Sequence, residues 1–143
     1  MKKNILFLVL FWVYSIGFSQ EQGSVSLAWK AKEKYAIGDN SYLLPQFNGD
    51  NFQFNAVDNS LVFSKTIPTT ILYDENNAIE ISNIIYESIS GSELGDLSKK
   101  NLPSTLKYWT QTYQARDKFY LQFFVSPIIS ENGAYKKIVS FSY

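Results

Sequence analysis

The sequence predicts an all-β protein: an antiparallel β-sandwich or barrel-like domain of about eight or nine short strands, preceded by a signal-peptide helix. Two observations carry this prediction. Short stretches alternate between apolar and polar residues with a period of two, as half-buried strands require. Turn residues separate these stretches at roughly regular spacing, and no convincing helix follows residue 19. This arrangement is typical of antiparallel sheets that pack face to face or close into a barrel.

The first 19 residues have the form of an export signal. Two lysines precede an apolar run at residues 5–14, and Gly17 and Ser19 place small residues where a signal peptidase cleaves. A retained anchor helix is the alternative, but the run is shorter than the roughly 20 residues that a membrane-spanning helix needs. The absence of cysteine excludes a lipoprotein anchor. We therefore expect an exported protein whose mature domain spans residues 20–143.

Charge and composition narrow the partners of the mature chain. Loss of residues 1–19 from the 143 leaves 124 residues and removes two of the 13 basic residues, so 11 basic residues face 13 acidic ones. A net charge of −2 gives no electrostatic reason to seek nucleic acid or an anionic membrane surface. We expect no nucleic-acid partner and no transmembrane span after signal cleavage.

Cysteine and histidine are both absent. The chain therefore contains no disulfide, no thiolate nucleophile, none of the usual zinc sites and no histidine acid–base relay. No serine-nucleophile elbow and no glycine-rich phosphate loop occurs either. The sequence predicts no catalytic residue, no cofactor and no metal ion for this chain.

The first half of the mature chain predicts five short strands separated by turns. They are residues 25–29, 41–44, 52–54, 60–67 and 69–73. Proline lacks the N–H that a sheet ladder needs, so Pro45 and Pro68 are expected to end two of them. The charged run at residues 30–34 is interpreted as a solvated strand end, and Gly38 opens the turn that follows it.

Residues 78–90 form a longer apolar segment in which the spacing of the isoleucines shifts from two to three. A helix would pair Ile81 with Ile85 and Ile85 with Ile89. Isoleucine is stiff at χ1 and favours strands, so we predict a strand with a bulge or bend near Ser82-Asn83.

The next stretch, residues 91–104, is irregular, and we expect Leu94 and Leu97 to pack it against the core. Residues 106–114 return to the strand pattern with aromatic side chains on both faces. Residues 115–117 then turn the chain.

The clearest alternation lies in the last 30 residues. Residues 119–125 form one strand, Ser126-Pro127 breaks it, and Asn132-Gly133 is a strong cue for a hairpin turn. Alternation then assigns one face of the last strand to Tyr135, Lys137, Val139, Phe141 and Tyr143. The chain ends on this strand, which favours an exposed edge and a piece of a longer protein.

Acidic residues are candidates for catalysis or for calcium binding, but they occur in turns. The paired carboxylates are Asp74-Glu75 and Glu93 with Asp96; the possible calcium ligands are Asp39, Asp50 and Asp58. The paired carboxylates are adjacent in turns, whereas a glycosidase needs two carboxylates that flank a groove. The spacing of the three aspartates does not match an EF-hand calcium loop. Ordinary turn chemistry is the favoured interpretation.

Aromatic residues are the remaining candidates for binding. Tyr108, Trp109 and Tyr113 could form a platform that stacks on sugar or peptide, although cross-strand or core packing is the more usual role. Arg116, the only arginine, could form a salt bridge with Asp117 or belong to a docking surface, and the bridge is favoured.

Seven short motifs occur in a characteristic order. They are Val25-Ser26-Leu27-Ala28-Trp29, Leu44-Pro45-Gln46-Phe47, Leu94-Gly95-Asp96-Leu97, Ala115-Arg116-Asp117-Lys118, Val125-Ser126-Pro127-Ile128-Ile129, Asn132-Gly133-Ala134-Tyr135-Lys136-Lys137 and Val139-Ser140-Phe141. Together they resemble the N-terminal region of the type IX secretion system sortases, the PorU family. The resemblance covers essentially the whole mature chain, and the signal ending in Phe-Ser-Gln is typical of exported Bacteroidetes proteins.

This resemblance implies a module of a larger peptidase system. Members of the family begin with a β-rich region, followed by a gingipain-like cysteine peptidase domain with catalytic cysteine and histidine, and by a C-terminal β domain. They lie at the outer-membrane surface, remove the C-terminal signal of secreted cargo and attach the cargo to anionic lipopolysaccharide. Because this chain has neither cysteine nor histidine, no catalytic residue carries over to it.

The implied role is scaffolding or docking, in the periplasm or at the outer-membrane cell surface. The implied partner is a peptidase domain or an outer-membrane secretion-system protein. A fragment, a split gene and a stand-alone accessory copy all remain open. The alternative class is an independent exported β-sandwich module that binds glycan or peptide.

Overall fold

The computed structural model of the protein describes residues 22–74 and 78–143 and confirms the all-β fold. The described strands are β1 (Ser24–Ser26), β2 (Lys30–Ile37), β3 (Asn40–Gln46), β4 (Phe52–Asn55), β5 (Ser60–Thr69), β6 (Ser82–Ile89), β7 (Tyr108–Ala115), β8 (Lys118–Val125), β9 (Ile128–Glu131) and β10 (Ala134–Ser142). No helix in these ranges is long and apolar enough to cross a membrane. The expected signal segment and the turn residues 75–77 lie outside the described residues.

The strands form three antiparallel sheets. Sheet A has the order β1-β10-β6, with β9 also paired to β10; sheet B is the β2-β3 hairpin; sheet C has the order β4-β5-β8-β7. Strand β10 is therefore central: β1 pairs with its last residues and β9 with its first, while β6 pairs along the opposite edge. The architecture is consistent with a β-sandwich.

Phenylalanine contacts join sheet A to sheet C. Phe141 of β10 packs edge-on against Phe63 of β5, with ring centroids 5.4 Å apart, and also contacts Phe123 of β8 at 6.4 Å. All three side chains are almost completely buried. Edge-to-face pairs of this kind contribute about 0.5–1.5 kcal/mol beyond the area they bury.

Sheet B covers the other end of this core. Tyr35 of β2 packs on Phe52 with ring centroids 5.3 Å apart, and Tyr42 of β3 packs on Phe54 at 4.8 Å. Phe52 and Phe54 are one face of β4, the edge strand of sheet C. The small hairpin thus gains its stability by packing on β4 rather than from its own two strands.

Residues with positive φ angles occupy three of the hairpin turns. Asn132 and Gly133 both have positive φ, at 51° and 81°, and join β9 to β10 as the Asn-Gly cue predicted. Gly38 has φ 57° in the β2-β3 turn, and Arg116 has φ 58° in the β7-β8 turn.

The last strand was predicted to place Phe141 on one face and Ile138 on the other, and this prediction is wrong. Ile138 and Phe141 are both buried, at 0% and 1% exposure, although they are three positions apart and regular alternation would place them on opposite faces. The register of β10 against β6 shifts between Ile138 and Ser140, which leaves Val139 as an extra residue. This bulge turns the following side chains over, so Phe141 faces the core as Ile138 does.

The bend predicted near Ser82-Asn83 is confirmed. The register shifts again between Ser140 and Ser142, and Asn83 has φ 49°, in the left-handed region. Residues 78–81, however, precede β6 instead of belonging to it.

Five other predicted boundaries are corrected. Strand β1 ends at Ser26, and the charged run at residues 30–34 belongs to β2. Pro45 lies inside β3, opposite a register irregularity of β2, and Pro68 lies inside β5 where β4 no longer pairs with it. Proline is tolerated at strand irregularities and where a strand has a neighbour on one edge only. Residues 70–73 do not form a further strand.

The irregular stretch at residues 91–104 is held by the core, as expected. Leu94 and Leu97 are 0% and 4% exposed. Between them the Asp96 N–H donates to the Leu43 carbonyl at 2.9 Å, and the Leu43 N–H donates to Asp96 Oδ2 at 2.6 Å. Gly95 has φ 59°, and a Cβ added there would lie 2.0 Å from the Leu43 carbonyl oxygen.

The first prediction concerns Gly95. Gly95→Ala should be strongly destabilising, since its left-handed φ costs about 1–2 kcal/mol for alanine and the clash adds an overpacking cost of about 1–3 kcal/mol. Gly38→Ala is the matched control, because Gly38 has a similar φ but nothing lies within 4 Å of an added Cβ. Urea unfolding of both variants measures the difference. Equal losses would contradict the close approach at Leu43.

The second prediction concerns the start of the same loop. Glu93 Oε2 accepts hydrogen bonds from the Ser90 hydroxyl at 2.6 Å and from the Ser90 N–H at 2.8 Å. The hydroxyl and then the N–H lower the pKa of Glu93 below its ordinary value of 4.5. The resulting stabilisation is therefore fully present above pH 4.5 and is lost as pH falls through the lowered pKa.

Glu93→Gln should flatten this part of the acid dependence of the unfolding free energy, measured by urea unfolding at a series of pH values. Ser90→Ala should remove the larger share of the effect, because the hydroxyl is the larger cause. A Glu93→Gln variant with the wild-type acid dependence would refute the assignment.

Candidate functional site: an aromatic face and an adjoining cleft

The face of sheet C that points away from the core carries two aromatic pairs separated by an amide pair. Because side chains alternate along a strand, Phe123 and Val125 of β8 point into the core while Phe124 points outward. The strand register places three directly opposite pairs on this outer side, which we call the aromatic face: Trp109 with Phe124, Gln111 with Gln122, and Tyr113 with Tyr120.

Both aromatic pairs are stacked. The rings of Trp109 and Phe124 lie 5.1 Å apart at 9°, and those of Tyr113 and Tyr120 lie 5.2 Å apart at 17°. Four residues of strand separate the two pairs, or roughly 13 Å. Tyr113 remains 42% exposed. The result is an uncharged surface with aromatic rings at both ends and two amides between them, although Phe124 itself is only 9% exposed.

Tyr108 does not belong to this surface. It pairs with Val125, whose side chain lies in the core, and it is adjacent to Trp109, so its side chain points to the opposite side of sheet C. The predicted platform of Tyr108, Trp109 and Tyr113 is therefore wrong in its first member. Alternation along the strand, which the sequence already shows, separates them.

Arg116 lies at the tip of the β7-β8 turn, close to the Tyr113 end of the aromatic face. Its carbonyl accepts a hydrogen bond from Gln114 Nε2 at 2.9 Å. Within residues 22–74 and 78–143 the ion pairs are Lys136 with Glu131 and Lys137 with Glu87, so the expected bridge from Arg116 to Asp117 does not form. The guanidinium is left at the exposed edge of the face.

A cleft of about 430 Å³ adjoins the other end of the aromatic face. Its polar lining residues include Asp58, Ser60, Asn101, Lys107 and Ser126, and Trp109 belongs to both the cleft and the face. Sequence analysis missed this site because its walls come from four separated parts of the chain. Among its lining residues, Asp58 carried a signal as an acidic turn residue and Trp109 as a member of the predicted platform.

Hydrogen bonds fix the walls of the cleft. Asn101 Nδ2 donates to the Asp58 carbonyl at 2.6 Å, and the Ser98 N–H donates to the Asn59 carbonyl at 2.9 Å. The Ser126 N–H donates to the Lys107 carbonyl at 2.9 Å. These bonds tie the irregular loop to the β4-β5 turn and the start of β7 to the end of β8.

The charges in the cleft are balanced. The Asp58 carboxylate accepts a hydrogen bond from Asn55 Nδ2 at 3.1 Å. The Lys107 ammonium lies 5.9 Å from the centre of the Trp109 ring, in a cation–π arrangement. One negative and one positive side chain therefore face the same space, with hydroxyl and amide groups around them.

Two of the other acidic candidates have structural roles. Glu93 and Asp96 accept backbone hydrogen bonds from Ser90 and Leu43. Across the two described ranges, no three acidic side chains approach closely enough to hold a metal ion. Burial raises the pKa of Tyr86 above its ordinary value of 10.0.

Comparison of the chain with protein-family models, curated proteins and solved structures finds no match in any of the three. The sortase resemblance therefore rests on the seven sequence motifs alone. Several of their side chains are buried core residues, including Leu27, Leu44, Phe47, Leu94 and Leu97. These positions describe how the domain packs, and the aromatic face and the cleft are the candidate binding surfaces considered below.

The third prediction tests the pairing on the aromatic face. A double-mutant cycle with Trp109→Ala and Phe124→Ala should give a coupling energy of about 0.5–1.5 kcal/mol, because the two rings stack. The control cycle combines Trp109→Ala with Tyr120→Ala, which lie too far apart to couple by more than about 0.5 kcal/mol. Guanidinium unfolding of the single and double variants measures both. Equal coupling in the two cycles would contradict the register of β7 and β8.

Proposed function

We propose that the chain is an exported, non-catalytic docking module that engages a protein partner through the aromatic face. The observation that carries the proposal is the pair of stacked aromatic couples on the outward side of sheet C, with Tyr113 substantially exposed. A contiguous patch of apolar and aromatic side chains on a protein surface commonly marks an interaction site.

The chemistry of the face favours a protein partner. The centres of protein–protein interfaces are enriched in tyrosine and tryptophan and depleted in charged residues. Tyrosine and tryptophan side chains often contribute most of the binding free energy. Trp109, Tyr113 and Tyr120 supply the aromatic anchors, and Gln111 and Gln122 supply hydrogen-bonding groups between them. Arg116 at one end is a charged rim residue.

The resemblance to the type IX secretion system sortases supports a particular partner. In that family a β-rich N-terminal region precedes a cysteine peptidase domain, and this chain has no cysteine or histidine of its own. The partner proposed is therefore a gingipain-like peptidase domain or an outer-membrane protein of the same secretion system. The role of the chain is to scaffold or position that partner.

A second candidate is an independent exported module that binds glycan or peptide. The Trp109 ring favours it, because Phe124 stacks on one of its faces and the other face, on the edge strand β7, suits sugar rings and extended peptides. This candidate needs no peptidase partner.

The fourth prediction distinguishes these functions in the native host. The photo-cross-linker p-benzoylphenylalanine, placed at Gln111 in the middle of the face, should capture a protein that carries a cysteine–histidine peptidase domain or an outer-membrane secretion component. The same residue at Ala36, exposed on β2, is the matched control. Mass spectrometry identifies the cross-linked product.

Tyr113→Ala should weaken this cross-link by about tenfold, as expected for a tyrosine anchor. Equal cross-linking from positions 111 and 36, or none from position 111, would overturn the docking function. Cross-links only to unrelated proteins would remove the sortase version of the proposal.

A further inference from the structure

The cleft at the Trp109 end of sheet C has the properties of a small-molecule site in its own right. Its volume of about 430 Å³ falls within the roughly 300–1,000 Å³ typical of ligand pockets. Leu61, Leu97 and Ile128 form an apolar floor. Polar side chains line the rest of its wall. We infer that this cleft binds a neutral saccharide unit.

The walls are organised before any ligand arrives. The loop wall is tied to the β4-β5 turn through Asn101 and Ser98, and Ser126 is tied to Lys107. The Ser130 N–H also donates to the Pro103 carbonyl at 2.8 Å and joins the loop to β9. A fixed site loses little conformational entropy on binding, which favours small ligands that form few contacts.

The polar groups match a polyol. Asp58 supplies a carboxylate acceptor, Lys107 an ammonium donor, and Ser60 and Ser126 hydroxyls that can donate or accept. Each hydroxyl of a sugar likewise donates and accepts, so a mixed set of donors and acceptors suits it. Trp109 adds an aromatic wall for the apolar C–H face of a sugar ring.

The charge balance argues against ionic ligands. Asp58 would repel a phosphate, and Lys107 would repel a cation, because both side chains line the same space. A zwitterion such as an amino acid or a peptide end is the closest competitor, since it could pair with both. The aromatic wall and the two hydroxyls favour the saccharide.

This inference goes beyond the proposed docking function. Only Trp109 is common to the two sites: docking uses Gln111, Tyr113 and Tyr120, whereas the saccharide uses Asp58 and its neighbours. One of the two functions can therefore fail while the other holds.

The fifth prediction is a titration of the purified chain with sugars, followed by NMR. Glucose, galactose, mannose and N-acetylglucosamine are added singly up to about 10 mM, a concentration at which even a millimolar dissociation constant gives near-full occupancy. At least one should shift the indole N–H resonance of Trp109 saturably, with that resonance assigned from a Trp109→Phe variant. The Trp29 indole, which donates to the Ile138 carbonyl, should not move and serves as the internal control.

Asp58→Asn keeps the size of the side chain and should weaken the response at least about tenfold, because a charged acceptor is lost. The matched control is Asp50→Asn, in the turn before β4 and outside the cleft. Asp50→Asn and Tyr113→Ala should both leave the sugar response unchanged.

Diglycine and inorganic phosphate complete the set of probes. A saturable Trp109 shift with a sugar, lost in Asp58→Asn and retained in Asp50→Asn, supports the inference. No saturable shift with any sugar, a response only to diglycine or phosphate, or an undiminished response in Asp58→Asn overturns it. None of these outcomes alters the cross-linking result at position 111.

Discussion

The packing of Phe141 against Phe63 and Phe123 is the contact on which the rest of the structure depends, because it is where sheet A meets sheet C. Phe141 reaches this position only through the bulge at Val139, which turns the end of β10 toward the core after Ile138 has already faced inward. One extra residue in a strand thus decides which side chains close the sandwich.

The same contact fixes the two candidate binding surfaces. Once Phe123 points into the core, alternation forces Phe124 outward, where the register sets it opposite Trp109. From Trp109 the surface continues along β7 as the aromatic face and across Lys107 into the cleft. The two candidate sites are therefore consequences of how the core is filled.

Local patterns made much of this fold predictable. The Asn-Gly turn, the strand from Phe119 and the core-bound Leu94 and Leu97 follow from chemistry within a few residues of each position. Bulges and tolerated prolines depend on what the neighbouring strand does, so Val139 and Pro68 misled the prediction. The aromatic face was partly predictable, because alternation along β7 could have excluded Tyr108. The cleft was not, because its walls come from segments that are distant in the sequence.

Strand β1 pairs with the end of β10, so the register joins Ser24 to Ser142 across almost the whole described chain. Such non-local pairing raises the contact order, and proteins of high contact order fold slowly, in milliseconds to seconds. The native sheet cannot close before its last strand is present. Until β10 is added, β1, β6 and β9 have no strand to pair with in sheet A, so their backbone hydrogen-bonding groups stay open to water or to another chain.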